Sequence, residues 1–189
     1  MLSMFRFRRS RGPVDLAIGM TGVRLGERLL HVGPGNPAVF AAAAAKAGLT
    51  GRACAVAESP GQVAALEQAA AHEGVFVEVS EAKGSTWPYD AAAFDVVIVD
   101  GNLVLSADSH RQEFLLAEVK RVVRPGGRVM TVYFRARGVA SRLGLEPAHG
   151  FDDVAERLLG VLGRCGFGPA RFLAGREGMA FVEAFRPLA

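Results

Sequence analysis

Apolar residues along this chain fall into short runs that alternate with longer segments of helical spacing. RLLHV at 28–32, RACAVA at 52–57, VFVEV at 75–79 and FDVVIV at 94–99 read as strands, as does RVMTVYF at 128–134. FDVVIV is almost continuously apolar, the mark of a strand covered on both faces. Between them lie helical patterns over 38–47, from Ser59 to about His72, over 109–123 and over 152–165. A mixed segment at 14–25 is expected to cap the sheet. Gly48 and Gly74 stop two of the helices, and Arg124-Pro125-Gly126-Gly127 stops a third. Asn36-Pro37 and Ser59-Pro60 are N-cap and first-turn pairs, and Gln62 stands at capping-box distance from Ser59. Segments 171–174 and 179–185 flank the turn GREG and predict a closing hairpin.

Strands alternating with helices of ten to fifteen residues predict βαβ units, right-handed crossovers and helices on both faces of a largely parallel sheet. The last two strands have no helix between them and must pair antiparallel. The expected fold is therefore α/β: a Rossmann-like, doubly wound, seven-stranded sheet, mostly parallel, with an antiparallel last strand. Residues 14–189 are read as one domain and 1–13 as a flexible tail, since 189 residues suit a single core.

Charge refines this picture only at the N-terminus. The chain carries 22 Lys and Arg against 19 Asp and Glu, but Arg6, Arg8, Arg9 and Arg11 sit in the first eleven residues. Without them the body is nearly neutral, which argues against specific nucleic-acid recognition. The tail, spaced by Phe5 and Phe7, suits loose contact with an anionic surface; the plainer reading is a solvated end. Cys54 and Cys165 stand alone, no apolar run approaches membrane-spanning length, and no apolar secretory segment follows the basic start. A cytoplasmic protein is the expectation.

In open parallel sheets ligands bind beyond the carboxyl ends of the strands, where the strand order reverses. The first strand ends in GPGNP. Gly33 suits a tight turn, Gly35 lets a ligand approach the backbone, and Asn36 caps the following helix. The second strand ends at Glu58, placed to accept both hydroxyls of a ribose or simply to favour the N-terminus of the next helix. The fourth ends in Asp100-Gly101-Asn102, where Asp100 also suits an Asx turn. Tyr89, His110, Tyr133 and His149 are polar residues near the predicted upper loops. Trp87 reads as a hydrophobic plug, and the four histidines show no metal-ligand spacing.

This order of motifs resembles the class I S-adenosylmethionine-dependent methyltransferases. LLHVGPGNP is similar to their first glycine motif and AVAES to their acidic second-strand end. WPYDAAAFDVVIVDGN resembles their fourth-strand motif, and LLAEVKRVVRPGGRVM their helix, proline–glycine–glycine turn and fifth strand. The likeness implies S-adenosylmethionine as cofactor and S-adenosylhomocysteine as product, with a small-molecule acceptor. It places Gly33 and Gly35 against the methionine and ribose, counts His31, Pro34 and Asn36 of the same motif among the cofactor-binding residues, and puts Glu58 on the ribose with Ser59 beside the adenine. Ala82 and Lys83 would border the adenine, with Asp100 and Asn102 near the methionine end and the acceptor. His31 stands where the family usually has an acid, Pro34 lacks an N–H, Pro37 stands where a third glycine is common, and Lys83 replaces a common acid. A non-catalytic cofactor-binding module and a nicotinamide-dependent oxidoreductase are the alternatives. Against the latter, neither Tyr89 nor Tyr133 is followed by lysine four residues on.

Overall fold

A computed structural model describes residues 12–82, 86–135 and 150–188. The basic tail, Lys83 and His149 therefore lie outside the described residues. The elements run α1 (Pro13–Thr21), β1 (Arg28–Val32), α2 (Pro37–Ala47), β2 (Arg52–Ala57), α3 (Pro60–Glu73), β3 (Glu78–Glu81) and β4 (Phe94–Asp100). There follow α4 (Gly101–Ser106), α5 (Ser109–Val122), β5 (Val123–Phe134), α6 (Asp152–Arg164), β6 (Ala170–Arg176) and β7 (Met179–Phe185).

The seven strands lie in the order β3-β2-β1-β4-β5-β7-β6. Neighbours from β3 to β5 are parallel, and β7 runs antiparallel to both β5 and β6. The chain builds outward from β1 through β2 to β3, then returns to the other side of β1 as β4. That reversal puts the switch point of the sheet between β1 and β4, whose carboxyl ends carry Val32 and Asp100.

Alternation divides the core. Leu29, His31, Ala55, Val96 and Ile98 face α1, α2 and α3, where Ala17, Phe40 and Leu66 cover them. Leu30, Val32, Val56, Val97 and Val99 face α5 and α6, against Leu116, Val119, Leu158 and Leu162. Burial on both faces explains the nearly continuous apolar runs of β1 and β4. Among the described residues no helix is long and apolar enough to cross a membrane.

Four boundaries differ from the sequence reading. Pro13, assigned to the tail, opens α1. The third strand occupies 78–81 rather than 75–79. Gly74 takes the left-handed conformation and the Val75 amide donates to the Ala70 carbonyl at 3.0 Å, so the closing turn of α3 uses the residues expected to start the strand. The fifth strand begins at Val123, paired with Phe94, and resumes at Arg128 opposite Val96. The intervening Pro-Gly-Gly segment is held instead by Arg186, whose amide donates to the Gly127 carbonyl and whose carbonyl accepts from Gly126. Finally, residues 101–106 form α4 instead of a loop.

Candidate functional site

The β1 turn is built around its glycines. Gly33 has φ +95°, and a Cβ there would come within 2.9 Å of the Leu103 side chain. Gly35 has φ +43°, and a Cβ would sit 2.6 Å from the His31 ring. The imidazole of His31 therefore lies directly beneath Gly35, beside Phe40, with ring centroids 5.3 Å apart. Neither of its nitrogens makes a hydrogen bond. Burial lowers its pKa to about 4, which the Gly33 backbone opposes only in part, so the ring is neutral near pH 7. It cannot supply the negative charge that the family usually places here.

The backbone donors of this turn are mostly committed. Gly33 donates to the Val56 carbonyl at 3.0 Å, and Pro34 and Pro37 have no N–H. Gly35 donates to Oδ2 of Asp100 at 3.0 Å. The Asn36 amide is left without a partner among the described residues, while its Oδ1 accepts from Ala38 and caps α2.

Asp100 is the hinge of the site. Its Oδ1 accepts from the Asn102 amide at 2.8 Å, capping α4, while Oδ2 holds the glycine turn. Burial pushes its pKa up against the pull of these backbone donors, and Glu58 nearby adds to the rise. Gly101 is needed next to it, because a Cβ would meet Tyr133 at 3.0 Å. Asn102 then clamps α4 to β5: its Nδ2 donates to the Phe134 carbonyl and its Oδ1 accepts from the Phe134 amide, both at 2.8 Å. The Asx turn weighed from sequence is present, and the Asn102 side-chain carboxamide is spent on the Phe134 backbone.

Glu58 follows β2 with its side chain 35% exposed. One carboxylate oxygen accepts from the Arg111 guanidinium on α5. Its backbone amide donates to Gln62, so the capping-box glutamine reaches one residue further back than expected. Ser59 Oγ caps α3 by accepting from Gln62 at 3.4 Å. Ala82, its amide on the Ala57 carbonyl, follows β3 at the same sheet edge.

Pro34, Glu58, Asp100 and Asn102 line one cleft of about 500 Å³, together with Leu103, Leu105, Ser106, Tyr133, Val154 and Arg157. Of Tyr89, His110 and Tyr133, the three described polar residues expected near the upper loops, Tyr133 alone lines it. Tyr89 is buried, its hydroxyl donating to the Ala55 carbonyl, and His110 is exposed on α5. Trp87 is buried in the core, its amide on Glu118. Sequence reasoning passed over Arg111, Val154 and Arg157. The last two sit three apart on amphipathic α6, a spacing that does put them on one face; nothing local marks Arg111.

Comparison with known proteins bears on the family and the fold. Residues 29–127, just over half the chain, match the family described as a methyltransferase domain. A ubiquinone/menaquinone biosynthesis C-methyltransferase of Cupriavidus taiwanensis is 29% identical over 117 residues, 62% of this chain and 47% of that protein. The match thus spans about half the length of that relative. Among solved structures, an Aquifex aeolicus S-adenosylmethionine-dependent methyltransferase superposes with TM-score 0.72 at 16% identity, covering 92% of this chain and 89% of the other. The [4+2]-cyclase SpnF shares the fold at TM-score 0.67 and 19% identity, over 93% and 80% of the two chains. Fold, motif order and family match together place this chain in the class I S-adenosylmethionine-dependent methyltransferase family.

Proposed function

We propose that the chain transfers a methyl group from S-adenosylmethionine to a small acceptor. The observation that carries this reading is the shared cleft: Pro34 of the glycine turn, the β2 carboxylate and the end of β4 line one volume that also reaches β5 and α6, with Gly33, Gly35 and Asn36 next to Pro34 in the chain but not in the lining. The size is within the usual range of small-molecule sites. The residues fit the cofactor. Neither glycine position leaves room for a Cβ, Glu58 keeps one oxygen outside its ion pair for a ribose hydroxyl, and the Asn36 amide is free to meet a carboxylate.

When bound, the cofactor brings a methyl group already activated on a sulfonium. What remains for the protein is alignment and exclusion of water. Asp100 holds the glycine turn and starts α4, and Asn102 locks α4 onto β5, so cofactor end and acceptor end are fixed to each other. Leu103, on α4, packs over Gly33 and brings an apolar wall against the turn. Asp100 is poorly suited to act as a general base, since both oxygens already accept backbone hydrogen bonds. The apolar portion of the lining favours an acceptor with hydrocarbon surface.

A [4+2]-cyclase with this architecture shows that fold alone does not set the reaction. Parallel calorimetric titrations with S-adenosylmethionine, S-adenosylhomocysteine and NAD test the reading. The first two are expected to bind and raise the melting temperature. Glu58→Ala should weaken S-adenosylhomocysteine binding by about 1–3 kcal/mol. Binding of NAD alone would overturn the assignment, and unchanged affinity in the variant would remove Glu58 from the site.

A further inference from the structure

The polar groups lining the cleft can be accounted for one by one. Asp100 is used by the Gly35 and Asn102 amides, Asn102 by the Phe134 backbone, and Glu58 by Arg111 through one oxygen. Ser106 Oγ donates to the Leu103 carbonyl at 3.2 Å. Two groups remain: the Tyr133 hydroxyl and the Arg157 guanidinium have no hydrogen-bond or ion-pair partner among the described residues. Arg157, exposed on α6, is the only cation of the lining among the described residues. Asp153, one helical turn before it, forms no ion pair with it.

These two groups lie on elements that the fold holds firmly. Tyr133 is on β5, paired with Ala180 of β7 and flanked by the Asn102–Phe134 clamp. Its ring meets Phe151 edge-on, centroids 6.5 Å apart. Arg157 is on α6, which buries Ala155, Leu158, Val161 and Leu162, and Val154 shares its cleft-facing side. An unpaired guanidinium beside an apolar wall is a recognition pattern. It offers a planar fork of donors that an oxyanion engages through two oxygens, and a neutral ligand of the same shape engages it more weakly.

We propose that the acceptor is an amphipathic oxyanion, an apolar body carrying a carboxylate or phosphate group, held by Arg157 with the Tyr133 hydroxyl as second donor. The proposal rests on the methyl-transfer reading for its role, but the anion subsite itself stands on the unpaired Arg157 and Tyr133. Both ends of the cleft are then used: carboxylates and the glycine turn at the β1–β2 end, a cation and hydrocarbon at the β5–α6 end.

Calorimetric titration of the protein saturated with S-adenosylhomocysteine tests this, using benzoate, phenyl phosphate and the neutral isostere benzamide. At least one oxyanion should bind about tenfold or more tighter than benzamide, the advantage expected of a charge-assisted hydrogen bond. Preference between benzoate and phenyl phosphate assigns the anion. Arg157→Gln should erase the advantage, Tyr133→Phe should reduce it by less, and Arg157→Gln should leave the affinity for S-adenosylhomocysteine unchanged. Oxyanions that bind no tighter than benzamide, or equally well in Arg157→Gln, overturn the proposal. So does a loss of S-adenosylhomocysteine affinity in Arg157→Gln, which would hand this guanidinium to the cofactor. If S-adenosylhomocysteine fails to bind at all, the cofactor reading falls, and the same titrations on the unliganded protein still decide the anion subsite.

Discussion

Asp95 at the amino edge of the sheet and Asp100 at its carboxyl edge are handled in opposite ways. At the amino edge every described carboxylate near the strands meets arginine. Asp95 accepts from Arg28 and Arg124, and Glu78 from Arg52. Despite partial burial, these hydrogen bonds hold Asp95 down to about 2 and lower Glu78 as well. At the carboxyl edge Asp100 has backbone amides as partners, and burial wins: its pKa goes up. His31, one strand away, is buried with two idle nitrogens. Charges neutralised by arginine near solvent serve solubility and strand order. Polar groups buried without a counter-ion cost stability, and they gather where a ligand is to be held.

The largest effect that sharpens this contrast is with pH. His31 titrates at about 4 in the folded chain and near 6.5 when unfolded, so protonation favours the unfolded state. Its contribution is intact above about pH 6.5. It drains away as pH falls towards 4, by about 3 kcal/mol in all. Asp95 is also shifted down, but in a more acidic window: it stabilises above its unfolded pKa near 3.8, and that is lost as pH falls through about 2. Chemical denaturation across this range should therefore show the carboxyl-edge loss first, and His31→Leu should flatten the upper part of the profile. An unchanged slope in that variant would break the comparison.

Next in size, Asp100→Ala should destabilise by about 2–3 kcal/mol, because the Gly35 and Asn102 amides lose a buried charged acceptor. Glu78→Ala, which removes an ion pair with both side chains about half exposed, should cost about 1 kcal/mol or less. Urea unfolding of the two variants, run together, would refute the contrast if Glu78→Ala proved the more damaging.

The smallest effect concerns Arg111. Its exposed ion pair with Glu58 competes with a ribose for the same carboxylate. Arg111→Met is expected to tighten S-adenosylhomocysteine binding by about two- to fivefold, the scale of a surface ion pair. Weaker binding in this variant would mean that the guanidinium assists the ligand.

Most of the architecture could be read from residues near one another in sequence. The Asn36 and Ser59 caps, the Gly74 stop and the apolar runs of β1, β2 and β4 are local signals, and the largely parallel, doubly wound sheet followed from the βα alternation. The same local rules missed the start of β3, where the closing turn of α3 claimed Val75, and missed α4, whose N-cap competes with the plain turn reading of Asp100-Gly101.

By itself, then, the sequence determined the class of fold, the reversed last strand, and the pairing of a glycine turn with a carboxylate at the next strand end. It could do so because capping, turn chemistry and hydrophobic periodicity act over a few residues. Only the tertiary structure decided which of those polar groups are spent and which are free. Asp100 meets Gly35 across 65 residues and Glu58 meets Arg111 across 53. Such hydrogen bonds form after the strands are in register, so their outcome leaves no mark on the neighbouring sequence. The same holds for Tyr133 and Arg157, which belong to the cleft because β5 and α6 meet there and are free because no other described side chain reaches them.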